Sequence, residues 1–357
     1  MMSLKNGIRI LGTDLSAQTM AKILNPMVNH IAVSNLKFYS LFLLIAILGC
    51  QNHQQHAQPE TVEKPKKLGP FFGVAPSASP QLLAPELLAS PATEYNGTFS
   101  PDGTEFFYTT DLPNNAYITF TRMNADSTWS EPRIAPFSGS YSDFDPLFAP
   151  DGNRLYFSSS RPKGDNENSK IWYVERRGKD WGNPVRVVLT GEDDNEYYSS
   201  LTHSGAIYFN IWSKGDIYKA IPSDSTYTIE TLPDIINQGE DKGDPFIDPN
   251  EEYLIYRGYD DTIGRGDLYI TFNIDGKWTE PENLGKPINS DQHEMCPWVS
   301  PDGKLFIFAS GRLEEPAPAK ALDPIKNINS TYNSGQLNLY YMSANFIQEM
   351  KAKHIKS

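Results

Sequence analysis

The chain predicts an all-β fold: a five-bladed β-propeller of four-stranded antiparallel blades, closed by a strand from its N-terminal side. Three observations carry this. A tight-turn phrase returns five times, as Ser100-Pro101-Asp102-Gly103, Ala149-Pro150-Asp151-Gly152, Thr202-His203-Ser204-Gly205, Asp248-Pro249-Asn250-Glu251 and Ser300-Pro301-Asp302-Gly303. The second residues of these phrases are 49, 53, 46 and 52 positions apart, and short strands repeating about every 40–50 residues mark one propeller blade per repeat. Three of the units run on to Trp-x-x-Pro, at Trp129, Trp181 and Trp278, where proline suits an outer edge strand because it has no amide donor for a further ladder.

Each element of the unit follows from its residues. Pro presets φ at the first turn position, and Asp-Gly supplies the positive φ of a hairpin reversal. An apolar β-former run follows each turn: Phe106-Phe107-Tyr108, Leu155-Tyr156-Phe157, Ile207-Tyr208-Phe209, Leu254-Ile255-Tyr256 and Leu305-Phe306-Ile307-Phe308. A third strand comes next, at Tyr117–Phe120, Ile171–Val174, Asp216–Lys219, Asp267–Ile270 and Leu337–Tyr341. The fifth unit lacks an outer strand. Pro85-Glu86-Leu87-Leu88-Ala89-Ser90 has the same cast as Pro281-Glu282-Asn283-Leu284-Gly285-Lys286. It is the segment expected to close the ring and remove two open edges. The propeller is therefore placed at residues 85–342, with 343–357 as a short polar tail of helical character.

The Ser-Pro-Asp-Gly turn, the aromatic strand after it and the ending Ser158-Ser159-Ser160-Arg161-Pro162 resemble the TolB-like propeller repeat of bacterial envelope proteins, over about residues 86–342. The third unit departs with His203-Ser204-Gly205 and the fourth with Pro249-Asn250-Glu251. The resemblance implies an envelope scaffold that engages a peptidoglycan-associated or Tol-type protein. It speaks for architecture more than activity, since propellers host binders and enzymes alike.

Residues 1–49 read as a signal segment. Phe38–Leu48 is apolar, follows Lys37 and is too short for a stable membrane span. It ends at Ile47-Leu48-Gly49-Cys50, which resembles the lipobox of bacterial lipoproteins and makes Cys50 the expected lipidation site. Two or more acyl chains, at about 0.8 kcal/mol per buried CH₂, anchor stably. A start at Met27 would give a leader of ordinary length. Residues 50–84 are read as the lipidated cysteine and a flexible tether, since Gln51–Lys67 is nearly free of apolar residues. The expected location is the bacterial envelope, at the outer membrane, facing the periplasm or the cell surface, with the lipid as the only membrane contact. With Cys50 acylated, Cys296 has no disulfide partner, and it reads as a small core residue.

The formal net charge is −13; leaving out residues 1–49 removes four cations (Lys5, Arg9, Lys22, Lys37) and one anion (Asp14) and takes it to −16. Such a chain repels nucleic acid. No phosphate loop, nucleophile elbow or paired-histidine spacing appears, so no cofactor and no metal is expected. Asp193-Asp194-Asn195-Glu196 and Tyr259-Asp260-Asp261 are oxygen-rich, yet neither has calcium-loop spacing. The chain is expected to be a monomer.

Candidate binding residues come from aligning the repeats. Seven positions before each turn anchor stand Glu94, Asp143, Glu196, Lys242 and Glu294; two positions later stand Asn96, Asp145, Tyr198, Asp244 and Cys296. Eleven positions after the anchor come Leu112, Arg161, Lys214, Asp260 and Arg312, with Arg257 nearby. In a propeller these loops ring one mouth of the central channel. Glu94, Asp143, Asp145, Glu196, Tyr198, Asp244 and Glu294, with Arg161, Arg257 and Arg312, are thus expected to form an acidic funnel. Its ligand would be an envelope protein segment or a glycan. The plainer reading is that such repeated polar positions pair between strands and act only structurally. A third reading is a glycan-active hydrolase. Some five-bladed propellers are glycoside hydrolases, whose chemistry needs two carboxylates about 5–10 Å apart. The residues around these acids do not resemble the motifs of those enzymes.

Overall fold

The computed structural model describes residues 67–161, 168–313, 332 and 334–356. Five antiparallel sheets succeed one another along the chain. Strand β1 (Gln81–Leu82) precedes a helical turn, α1 (Pro85–Leu88). Blade one holds β2 (Thr93–Phe99), β3 (Glu105–Leu112), β4 (Asn115–Arg122) and β5 (Arg133–Ile134). Blade two holds β6 (Asp143–Phe148), β7 (Arg154–Ser159), β8 (Lys170–Arg177), β9 (Asp180–Trp181) and β10 (Val185–Arg186). Blade three holds β11 (Glu196–Leu201), β12 (Ile207–Ile211), β13 (Asp216–Ser223) and β14 (Thr226–Thr231), then the turn α2 (Asp234–Asn237). Blade four holds β15 (Gly243–Ile247), β16 (Tyr253–Gly258), β17 (Asp267–Ile274), β18 (Lys277–Trp278) and β19 (Glu282–Asn283). Blade five holds β20 (Glu294–Val299), β21 (Leu305–Ser310) and β22 (Asn338–Ser343), followed by helix α3 (Asn345–Lys356). Successive inner strands touch, and β20 returns to β2. The chain is a five-bladed β-propeller.

The repeated phrase works as its residues predict. Ser100 Oγ donates to Asp102 Oδ1 (2.6 Å) and accepts the Glu105 amide (2.9 Å); Ser300 repeats this with Asp302 and Leu305 at the same distances. Gly103, Gly152, Gly205 and Gly303 take positive φ. In blade four Glu251 takes φ 60 instead, a backbone cost of about 1–2 kcal/mol for a residue with a Cβ. Its carboxylate accepts from the Tyr208 hydroxyl and pairs with Lys219 Nζ, both at 2.6 Å, so this turn is fastened to blade three. Between blades the core is aromatic: Phe107 meets Phe148 edge-on at 5.5 Å, and Trp181 packs on both.

Closure comes from the N-terminal side, though from other residues than expected. β1 pairs with β22, Gln81 facing Tyr341 and Leu82 facing Tyr340. The ladder extends through the Leu83 amide to Leu339 O at 2.9 Å. Pro85–Leu88 is α1 instead of a strand. Pro85 sits at a first helical position, where its missing donor costs nothing. Residues 68–84, read as part of the tether, also pack on the propeller. Phe72 lies 4.3 Å from the Trp129 ring and 5.0 Å from Phe99, and Trp129 Nε1 donates to Gly69 O at 2.9 Å. Phe72 and Leu83 are fully buried. Apolar side chains too sparse to show a periodicity carry this docking. The signal segment, Cys50 and tether residues 51–66 lie outside the described residues.

The polar tail is helical and, beyond what its residues announce, docked on the ring. In α3, Ile347 is buried, Phe346 meets Phe306 edge-on at 5.2 Å, and Lys351 Nζ pairs with Glu252 Oε2 at 2.6 Å. His354 Nε2 lies 2.5 Å from Glu282 Oε1. The helix thereby straps blade five to blade four. No helix among the described residues is long and apolar enough to cross a membrane.

Candidate functional site

The first tier of aligned polar residues is engaged blade by blade. Asp143, Glu196 and Glu294 are fully buried and Glu94 almost so. Asp143 accepts from Ser159 Oγ at 2.5 Å and pairs with Arg161 Nη2 at 3.0 Å. Glu294 repeats this with Ser310 Oγ at 2.6 Å and Arg312 Nη2 at 3.5 Å, and it also accepts from Ser290 Oγ and its amide. Glu196 binds Thr190 Oγ1 at 2.6 Å and Lys170 Nζ at 3.4 Å. Blade four reverses the charges: Lys242 Nζ pairs with Asp260 Oδ2 at 2.5 Å. In blade one Leu112 stands where the cation would be, and Glu94 bonds Ser90 Oγ. Burial pushes the Glu94 carboxyl up to about 7 against its hydrogen bonds from Ser90, and among the described residues its Oε2 has no hydrogen-bond partner. This tier therefore does not form the expected common acidic funnel. Asp143 and Glu294 hold their entering loops against the end of their own second strands. Glu196 ties its entering loop to β8 of blade two through Lys170 and the Ile171 amide, and among the described residues Glu94 bonds only within its entering loop.

The second tier does converge. Asn96, Asp145, Tyr198, Asp244 and Cys296 all take positive φ (48 to 55). All five sit where the register slips between the first and second strands of their blades. A β-bulge thus recurs once per blade and turns one side chain toward the axis. Hydroxyls of the preceding blade accept the freed amides: Thr109 Oγ1 from Asp145 N at 3.0 Å, and Ser158 Oγ from Tyr198 N at 3.2 Å. The Tyr198 hydroxyl donates across to Pro297 O at 2.6 Å, linking blade three to blade five. Arg257 Nε lies 3.4 Å from Asp244 Oδ2, and the Cys296 amide donates to the same oxygen at 3.4 Å. Gly243 makes room for that guanidinium, since a Cβ there would stand 2.5 Å from Arg257 Nη2.

Electrostatics ties these groups into one unit. Burial, and then the nearby Asp244 charge, pushes Asp145 up to about 7 against hydrogen bonds from Asn96 and Ser158. Burial and both aspartates hold the Cys296 thiol well above its ordinary range, the reverse of an activated nucleophile. Asn96 Oδ1 is buried there without a hydrogen-bond partner. Beside these groups stands an aromatic wall in which only Tyr197 and His293, the neighbours of Glu196 and Glu294, draw notice in the repeat alignment. Phe144 lies 5.5 Å from Tyr197, Tyr197 lies 6.1 Å from the exposed Trp212, and Tyr259 lies 6.2 Å from His293. The Tyr95 and Tyr197 hydroxyls are raised by burial and by Asp145. His293 is lowered by burial and then by Arg257. The available signal was positional: Tyr95, Phe144, Tyr197 and Met295 each precede a bulge residue.

Among the described residues no grouping of three or more His, Cys, Asp or Glu is placed to hold a metal ion. The oxygen-rich loops are engaged otherwise, Asp194 with Lys214 Nζ at 3.0 Å and Asp260 with Lys242. At the opposite mouth the repeat turns surround an apolar cavity of about 210 Å³, walled by Phe99, Leu147, Leu201, Phe246 and Trp298.

No family model matches the chain, and no curated protein sequence matches it. Among solved structures it is similar to TolB from Acinetobacter baumannii, at 14% identity and TM-score 0.42, over 70% of this chain and 54% of that one. The chain thus spans about half the length of that TolB. It is also similar to the arabinanase of Bacillus subtilis, at 12% identity and TM-score 0.45, over 71% and 95% of the two chains. The alpha-L-arabinofuranosidase catalytic domain of Coprinopsis cinerea matches at 10% identity and TM-score 0.43, over 75% and 95%. Likeness at this level does not choose between a binder and a hydrolase.

Proposed function

We propose that the chain is a non-catalytic binding module of the bacterial envelope, a monomer anchored by lipid on Cys50, that captures a protein segment or a glycan at its bulge-side mouth. Asp145, Tyr198, Asp244 and Arg257 form the floor under the ligand. Glu94, Asp143, Glu196, Glu294, Arg161 and Arg312 hold the loops around it. One observation carries the reading: residues of all five blades meet in a polar floor beneath an aromatic wall, while the outer carboxylates already have partners of their own.

A hydrolase is the second reading, favoured by two buried aspartates, Asp145 and Asp244, close enough that the charge of Asp244 helps burial hold the Asp145 carboxyl up at about 7. The purified chain from residue 51 onward is expected to show no turnover of arabinan-, fructan- or xylan-type oligosaccharides. Turnover that Asp145→Asn or Asp244→Asn removes by orders of magnitude, with substrate still bound, decides for the enzyme. For the anchor, metabolic labelling with a fatty-acid probe should mark the parent and fail to mark Cys50→Ala. Equal labelling of both ends the lipoprotein reading.

A further inference from the structure

The face around the bulge-side mouth is studded with exposed apolar side chains. In each antiparallel blade the link from second to third strand lies at the end opposite the Ser-Pro-Asp-Gly turn, as does the link into the next inner strand. Leu112 ends β3, and Trp212, Ile263 and Leu313 follow β12, β16 and β21; Tyr141 and Val188 lie in the links into β6 and β11. All six are exposed, Trp212 to 61% and Val188 to 64%. Single exposed apolar residues need no explanation, but a set sharing one face and rimmed by charge marks an interaction surface. Trp212 is also the outer end of the ring contacts that lead through Tyr197 to Phe144 beside the mouth.

The chemistry of this face selects among ligands. Trp212 and Tyr141 offer rings that either a sugar or a peptide can stack on. The other four, Leu112, Val188, Ile263 and Leu313, offer a sugar neither a flat ring nor a hydrogen bond, whereas they pack well against apolar side chains of a peptide. Among the described residues the same links carry exposed Asp193, Glu240, Asp241, Asp261 and Asp291 beside exposed Lys214, Arg265 and Lys286. Lys214 is already paired with Asp194. We infer that the occupant of this face is a basic protein segment with interspersed apolar side chains, anchored on Trp212 and steered by the acidic links. This rests on the reading of the bulge-side mouth as the binding face. A buried tryptophan anchor carries affinity, while rim carboxylates govern association and its salt dependence.

The test pans a random dodecapeptide library against the immobilised full chain. Enrichment of Lys- and Arg-rich sequences containing Leu, Ile or Phe is expected, with binding that weakens as salt rises. Trp212→Ala should weaken the selected peptides about tenfold or more, and Asp241→Asn combined with Asp261→Asn should flatten the salt dependence. An unchanged unfolding midpoint in Trp212→Ala, whose side chain is largely in solvent, separates lost binding from lost folding. Neutral or acidic selected sequences, or no enrichment, overturn the basic segment. An oligosaccharide array on the same protein then judges the broader reading. A glycan lost with Trp212→Ala keeps the mouth as the binding face, whereas ligands indifferent to Trp212, Tyr197 and Asp145 substitutions sink both.

Discussion

Deleting residues 67–84 along with the tether is expected to abolish cooperative unfolding, whereas deleting 51–66 alone leaves the midpoint unchanged. The larger deletion removes β1 and opens β22 as a free edge beside Leu339 and Tyr340, both buried in the intact ring. It also removes Phe72 and Leu83, fully buried side chains worth about 1.5–3 kcal/mol each. Phe99, Phe106 and Trp129 then lose a packed neighbour. With ladder bonds added, the loss is about 5 kcal/mol or more, against a total of about 5–15 kcal/mol for a typical domain. Urea unfolding followed by tryptophan fluorescence reads the result. Superimposable transitions for the two deletions would mean that β1 does not close the ring.

The blade architecture was legible because its signals are local. Pro, Asp and Gly have fixed uses in a tight turn, and the Phe, Tyr and Ile runs need no distant partner to read as strands. The first-tier pairs Asp143–Arg161, Lys242–Asp260 and Glu294–Arg312 were legible in principle as well, whereas Glu196–Lys170 was not, because the aligned Lys214 pairs with Asp194 instead. The one blade with Lys242 in place of an acid also has Asp260 in place of a cation, a swap visible in the alignment that marks the pair as structural. The recurring bulge was not legible. Asn96, Asp145 and Asp244 suit positive φ, but Tyr198 and Cys296 do not, so the common conformation comes from register around the ring and not from side-chain preference. The sequence did nominate Asp145, Tyr198, Asp244 and Arg257, yet it ranked them with the outer acids, because burial and pairing are tertiary facts. β1 and the docking of α3 escaped for a related reason. A two-residue strand has no period, and Phe346, Ile347 and Met350 are spread among Gln, Glu, Lys and His.

Asp145→Asn is expected to stabilise the protein above neutrality and to give no gain in acid. Burial raises the folded-state carboxyl from 3.8 to about 7, so the fold favours the protonated form. Stability from such a group is fully present below about pH 4, its ordinary range, and is lost as pH rises through about 7. Three pKa units at about 1.4 kcal/mol each set a ceiling near 4 kcal/mol. Asparagine copies the neutral acid without titrating. It also has one oxygen where the carboxylate has two, and Asn96, Ser158 and the Tyr198 amide all bond Asp145. Losing one such bond costs about 1 kcal/mol, and Arg257 loses part of the negative charge that favours its protonated state. The net expectation is a gain of about 2 kcal/mol near pH 8 and a loss of about 1 kcal/mol near pH 4.5, read from urea midpoints. Glu94→Gln, at a carboxyl raised to about 7 by burial and bonded only by Ser90, should shift with pH in the same direction. A difference between Asp145→Asn and the parent that stays constant from pH 4.5 to 8 would show that Asp145 is ionised throughout. Asp145 would then face the ligand as a carboxylate at every pH tested, instead of as the neutral acid that burial favours.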